Sequence, residues 1–303
     1  MKTILVTGGN GFVGRCLLHK LNAEYGNYVI HAPSSKEVNL MNYKEVECYF
    51  EENKIDVVIH LAAKLGGVGV VMNKQLMLLE DNLQINYNVV KCAQKYGVTK
   101  FITLGSSCSY SNDTPLPMKE EFLWKGYPEN TYGTCKLVLL EHLKAQKEMD
   151  WVYLILPNIY GPDDHFGEKD AHFIPATVMK FVHAKQEGNK SIVVWGDGSQ
   201  ERDFVYVEDL VDIIMNSVES DKLINQPVNV ATEIGVSVKE IVLEIRELLG
   251  AQSIDIEWDI TKPTGILKKV LSNRKITSLY SGLQFMGMQE GLKKTIEWYK
   301  STM

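Results

Sequence analysis

The first 160 residues alternate short, apolar, β-branched runs with stretches of helical periodicity, and this alternation restricts the fold more than any other feature. The runs are TILVT (3–7), YVIHA (28–32), DVVIHLAA (56–63), KFITLGSS (100–107) and WVYLIL (151–156). Between them, apolar residues recur at helical spacing from Val13 to about Glu24, near 41–53, over 80–96 and over about 132–149. Strands this uniformly apolar are buried on both faces, as in a parallel sheet with helices on each side. Regular strand–helix alternation predicts an α/β fold with a doubly wound parallel sheet of the Rossmann type. Beyond about residue 160 the pattern loosens. SIVVWGDG, DFVYVEDL and QPVNVA read as short strands among helices near 173–187, 208–219, 237–249 and 289–300.

Composition removes several function classes. At 303 residues, 45% hydrophobic and 23% charged, the chain has the make-up of an ordinary soluble protein with ample core. A net charge of −6 argues against a nucleic-acid surface while leaving room for a local basic pocket. No apolar run approaches the roughly 18 residues of a membrane span. The N-terminus, MKTILVTGGN, passes directly from strand to glycine loop, so no signal peptide is expected. The five cysteines, Cys16, Cys48, Cys92, Cys108 and Cys135, show no paired spacing. This argues against a disulfide framework or a metal site and points to a reducing cytoplasm. Cys16, Cys48 and Cys92 fall on apolar helical faces and are expected in the core, and Cys135 is expected to pack inward.

TGGNGFVG places Gly8, Gly11 and Gly14 three residues apart, after a strand and at the opening of a helix. Glycines there permit a tight turn and close approach of backbone to a pyrophosphate, and the helix N-terminus supplies donors. Nucleotide binding is the reading this context favours over a plain strand–helix turn. An NAD-selective site carries an acid at the end of the second strand. Here the region reads HAPSSKEVNL, with no acid before Glu37. Ser34, Ser35 and Lys36 offer two hydroxyls and a cation, which suits the 2′-phosphate of NADPH. Residues 1–160 are therefore expected to form mainly an NADP-binding domain. Residues 161–303 would form mainly a smaller interleaved α/β substrate lobe, part of which returns to the first domain.

TYGTCK sets Tyr132 and Lys136 at i and i+4, on one face of a helix. A neighbouring ammonium favours a phenolate, so the pair is expected to bring the tyrosine toward acid–base work. LGSSCSY, at the carboxyl end of the preceding strand, brings Ser106 or Ser107 within reach of the same carbonyl. Glycine loop, serine and YxxxK in this order resemble the short-chain dehydrogenase/reductases, which implies that Tyr132 is the proton donor.

Further segments run in order through most of the chain: HLAAKLGGV (60–68), LGSSCSY (104–110), YGTCK (132–136), PNIYGPDDHF (157–166), AHFIPA (171–176), VVWGDGSQERDFVYVEDL (193–210) and KPTGILKK (262–269). Together they resemble the GDP-L-fucose synthase family, whose members are 3,5-epimerase/4-reductases of GDP-4-keto-6-deoxy-D-mannose. The resemblance implies a reductase triad of Ser106, Tyr132 and Lys136, and an epimerase acid–base pair of Cys108 and His172. It places the cofactor against Gly8, Asn10, Gly11, Phe12, Val13, Gly14, Ser34, Ser35, Lys36, Leu61, Ala62, Ala63, Tyr132, Lys136 and His172. The GDP-sugar would meet Ser107, Asn158, Lys180, Trp195, Arg202 and Lys269. A homodimer is expected by the same analogy.

The residue types suit that chemistry. A C4 ketone acidifies the protons on C3 and C5, so a base on one face and an acid on the other can invert both centres through an enolate. Thiol and imidazole titrate near enough to neutrality to exchange protons. Each also has a plain structural alternative: Cys108 as a small buried hydrophobe, His172 as a helix-capping residue, Arg202 as an ion-pair partner of Asp203. The chain departs from the family in CSYSND beside the thiol, in LPN before Asn158, in Lys180 where an arginine is usual, and in GILKK. Two other functions remain open: a C4-reductase of another GDP-4-keto sugar, such as a 6-deoxy-heptose, with little or no epimerisation, and a non-catalytic NADP-binding sensor.

Overall fold

The β-branched runs pair as the alternation predicts, in a computed structural model that describes residues 1–24, 28–65, 74–167, 171–262 and 265–303. Gly66, Gly67 and Val68 of HLAAKLGGV, and Pro263 and Thr264 of KPTGILKK, lie outside the described residues. Strands β1 (Lys2–Thr7), β2 (Tyr28–His31), β3 (Val57–His60), β4 (Lys100–Ser106) and β5 (Asp150–Leu156) join a strand from the second half, β10 (Gln226–Asn229). They form one six-stranded sheet in the order β10-β5-β4-β3-β1-β2, parallel throughout.

The sheet is buried on both faces because its side chains alternate between two apolar layers. Leu5, Val58, Phe101 and Tyr153 pack under helices α2 (Tyr43–Glu52), α3 (Gln75–Lys95) and α4 (Thr131–Ala145). Ile4, Val6, Ile59, Ile102 and Leu154 pack under α1 (Phe12–Glu24) and α6 (Val207–Glu219). A second-half strand and a second-half helix thus complete the first sheet.

The remaining elements make a smaller lobe: β6 (Asn158–Tyr160), α5 (Phe173–Glu187), β7 (Ser191–Trp195), β8 (Glu201–Arg202), β9 (Phe204–Tyr206), β11 (Val236–Ser237), α7 (Val238–Leu248), β12 (Asp255–Asp259), β13 (Lys268–Lys269), α8 (Arg274–Leu279) and α9 (Met288–Ser301). Of these, α8 packs its Ile276 into the core of the first sheet. A third apolar cluster joins Phe181, Ile192, Ile245 and Leu292. Ser237 opens α7 through a reciprocal cap with Glu240. The two-residue strands β8 and β13 run parallel, with Lys269 opposite Arg202.

Two expectations fail here. The third strand stops at His60, not Ala63, because Leu61–Ala63 turn toward the glycine loop. Cys48 is exposed and Cys16 only partly buried, whereas Cys92 and Cys135 are buried. On α2 the buried stripe is Val46 and Phe50, and Cys48 lies between them on the outer side. All five cysteines are unpaired. Among the described residues no helix is long and apolar enough to cross a membrane.

Candidate active site

In a doubly wound sheet, ligands sit at the carboxyl ends of the strands where the strand order reverses, here between β1 and β3. Gly8 takes a positive φ of 75°, and a Cβ there would lie 2.6 Å from the Ala62 backbone nitrogen. A Cβ on Gly14 would lie 2.2 Å from the Gly8 carbonyl oxygen, so α1 starts directly against the turn. This is a cradle of bare backbone, and the first turn of α1 carries no acidic residue. Such a site fits a dinucleotide pyrophosphate. Gly11 and Asn10 are exposed, while Phe12 and Val13 pack into the core beneath.

Behind the cradle lies a network that sequence reasoning missed. His60, 1% exposed, meets the Thr7 hydroxyl at 2.7 Å and Asn86 Oδ1 at 3.0 Å. Burial pushes its pKa down to about 4, so the ring is neutral and ties β1, β3 and α3 together. Asn82 accepts from the Lys64 amide at 2.8 Å and fixes the loop after Ala63. The signal was Asn82 and Asn86 at i, i+4 within DNLQINYN. At the end of β2, the Ser34 amide and hydroxyl both donate to Glu37 Oε2 at 2.7 Å. Ser35 and Lys36 are exposed, so they and not Ser34 present free polar groups there.

Ser106 ends β4, and its hydroxyl accepts from the Cys108 amide at 3.2 Å, capping a single 3₁₀ turn, Ser107–Ser109. Asn130 caps α4 by accepting from the Gly133 amide at 3.0 Å. The first turn of α4 rests on the 3₁₀ turn: a Cβ on Gly133 would lie 2.0 Å from the Cys108 carbonyl oxygen. That oxygen accepts from the Glu129 amide at 3.0 Å. Gly133 therefore seats the thiol segment beside Tyr132. A glycine inside YGTCK was the available signal.

Tyr132 and Lys136 are buried, and the Lys136 ammonium lies 5.5 Å from the centre of the Tyr132 ring. The expected fall in the tyrosine pKa is not found. Burial pushes Tyr132 up, with Cys108 and Cys135 adding in the same direction, and burial pulls Lys136 down to about 8. Desolvation sets both directions, each group being buried away from water. The Tyr153 hydroxyl donates to the Lys136 carbonyl at 2.7 Å and anchors the helix from below.

Pairing of β8 with β13 brings Arg202 and Lys269 together. Lys269 is buried and ion-paired with Glu129, which sequence reasoning also missed. Glu129 and Cys108 both lie close enough to act on the Arg202 guanidinium. Asp203 is not its partner: that carboxylate accepts from the Thr232 hydroxyl at 2.6 Å and from the Glu233 amide at 3.3 Å. Asn158 donates to the Asp203 carbonyl at 3.1 Å. Lys180 reaches along the lobe to the Val193 carbonyl at 2.7 Å, and Trp195 on the same strand is half exposed, with Lys262 over its ring.

His172 occupies the N-cap position of α5 but forms no side-chain cap. Its Nδ1 lies 3.1 Å and 3.3 Å from the two oxygens of Asp164, a buried carboxylate. A helix N-terminus disfavours an imidazolium by about 0.3–1 kcal/mol. The Asp164 hydrogen bond outweighs burial and raises the His172 pKa.

A sequence profile of the NAD dependent epimerase/dehydratase family matches residues 4–231. The chain belongs to this family. Within it, the chain is 32% identical to GDP-L-fucose synthase 1 of Arabidopsis thaliana, over 98% of its own length and 92% of that protein. Among solved structures, this epimerase/dehydratase superposes on a GDP-L-fucose synthetase of Naegleria fowleri bound to NADP with a TM-score of 0.90. That pair is 26% identical and covers 99% and 93% of the two chains. It also superposes on a GDP-mannoheptose C4 reductase of Campylobacter jejuni with NADP bound, with a TM-score of 0.87, 26% identity, and coverage of 99% and 98%.

Proposed function

We propose that this chain is an NADPH-dependent epimerase/reductase that converts GDP-4-keto-6-deoxy-D-mannose to GDP-L-fucose. The observation that carries this reading is the seat at Gly133, which packs a thiol segment against the turn that bears a buried Tyr–Lys pair. A reductase alone has no need of a thiol there. When bound, NADPH supplies the hydride that reduces the C4 ketone. The glycine turn and the start of α1 would hold its pyrophosphate, Ser35 and Lys36 its 2′-phosphate, and Lys136 its ribose.

In this reading Cys108, as thiolate, removes the proton on C3 or C5, and the C–H electron pair moves into the enolate of the C4 carbonyl. His172 returns a proton to the opposite face of the same carbon. Tyr132, kept protonated by burial, then gives its phenolic proton to the C4 oxygen as that carbon is reduced, with Ser106 orienting the carbonyl. Arg202, within electrostatic reach of Cys108, and Lys269, ion-paired with Glu129, favour a diphosphate, while half-exposed Trp195 offers a ring to a base. NADPH oxidation should track GDP-4-keto-6-deoxy-D-mannose and be much slower with the UDP- or dTDP-linked 4-keto sugar. Equal rates with all three would contradict the GDP assignment.

A second reading is favoured by the likeness to the Campylobacter jejuni reductase and by Lys180, whose ammonium makes a point contact where an arginine makes two. In it, the chain reduces C4 of another GDP-4-keto sugar without inverting C3 or C5.

We also place the enzyme in the cytoplasm as a homodimer. Leu76 and Tyr87 on α3 and Val138 on α4 are 66%, 51% and 47% exposed, along two adjacent helices. A second copy would cover this apolar face and build a four-helix interface. Val138→Glu should then halve the mass measured by light scattering; an unchanged mass, or a monomeric wild type, would contradict it.

A further inference from the structure

His172 stands where a helix-capping side chain is expected and does not cap. Serine, threonine, asparagine and aspartate are the usual residues there. The ring turns instead to Asp164, eight residues earlier, in the loop between β6 and α5. The Asp164 side chain is 1% exposed and the His172 side chain 46%. A carboxylate so buried requires a partner, and Nδ1 of His172 is the ring atom that faces it. Asp164 Oδ1 also accepts from the His165 amide at 2.7 Å, which fixes its orientation. Nε2 points away from the buried carboxylate, on the far side of the ring.

We propose that Asp164 is a positioning residue for the epimerase half-reaction: its carboxylate holds the Nδ1 proton of His172 and so leaves Nε2 as the group that exchanges protons with the substrate. The proposal rests on the reading above, in which His172 is the acid. The hydrogen bond fixes the tautomer. The neutral ring carries its proton on Nδ1, and the cation carries a second, transferable proton on Nε2. Once Nε2 has given its proton to the substrate carbon, it recovers one from solvent. The same carboxylate raises the imidazole above its usual 6.5 and increases the share of the acid form near neutral pH.

Other charges near His172 are committed elsewhere. Asp163 pairs with Arg15 at 3.3 Å, and Lys180, two turns along α5, binds the Val193 carbonyl. His165, in the same loop, is exposed. Among the described residues, the charge that acts on the His172 ring is that of Asp164.

The test is nitrogen NMR of histidine-labelled enzyme loaded with NADP⁺, the His172 signals being assigned by their loss in His172→Gln. The expected wild-type spectrum shows a neutral ring protonated at Nδ1 and a titration midpoint above 6.5. Asp164→Asn should lower that midpoint and slow solvent-deuterium exchange into the sugar roughly 10- to 100-fold, the range that follows loss of the partner of a metal-ligating histidine. Asp164→Glu, which keeps the charge, should restore the midpoint at least in part. A neutral ring protonated at Nε2, or a midpoint and exchange rate unchanged in Asp164→Asn, would overturn the proposal. If the variants do not fold, the wild-type tautomer and midpoint decide. If the wild type exchanges no deuterium, the epimerase reading fails, and the histidine spectrum still decides the pairing.

Discussion

Tyr132 and Lys136 are driven in opposite directions by one cause. Burial disfavours charge on each, so the phenol stays protonated and the ammonium weakens to about 8. A protonated phenol is what a donor to the C4 oxygen requires. Tyr132→Phe should lower kcat roughly 10²- to 10⁴-fold in a single-turnover assay. Binding of the GDP-sugar by calorimetry should survive, and near wild-type turnover would reduce the YxxxK pair to a helix start. Lys136 also makes a prediction for the free enzyme. Its folded pKa lies below the ordinary 10.5, so between about 8 and 10.5 the unfolded chain binds the extra proton. Stability therefore rises with pH through that window, by roughly 3 kcal/mol at most for a shift of this size. Lys136→Met should flatten that slope in denaturant titrations, and an unchanged slope would show that Lys136 is charged when buried. The i, i+4 pairing was legible in the sequence. The direction of the tyrosine shift was not, because spacing reports proximity and says nothing of solvent.

The decisive contact between elements is that of α4 on the 3₁₀ turn that carries Cys108. Gly133 has no room for a methyl group: the position it would take is 2.0 Å from the Cys108 carbonyl oxygen. Gly133→Ala should push the two segments apart, destabilise the fold by about 1–3 kcal/mol, and slow turnover through Cys108 and Tyr132 together. Thermal unfolding and kcat measured on one preparation check this, and a variant with wild-type values of both would refute the seat. The strands and long helices were legible because β-branched runs and helical periodicity reflect local burial. What escaped notice depends on pairs far apart in the chain. Lys269 meets Glu129 across 140 residues, and β8 pairs with β13 through strands of two residues, too short to show a period. Asp164 lay inside a motif already singled out, but its role depends on which way His172 turns at a helix start. The third strand ends early because Ala62 must approach Gly8, a tertiary demand that its apolar sequence conceals.

At the scale of the molecule, one sheet gathers its working groups at the carboxyl ends of β1, β3 and β4, and the smaller lobe brings Arg202, Lys269 and His172 as separate pieces. This division suits the two-part reaction proposed above: proton exchange at C3 and C5 would use groups from both lobes, and reduction at C4 would use the sheet's Tyr132 and the cofactor cradle. The measurement that tests this most directly is NMR of the product formed from GDP-4-keto-6-deoxy-D-mannose and NADPH in deuterated water. The prediction is GDP-L-fucose with solvent deuterium at both C3 and C5, and loss of that deuterium relative to hydride transfer in Cys108→Ser. A reduced product of unchanged configuration at C3 and C5, free of deuterium in the wild type, would contradict the two-part reaction and identify a C4-reductase.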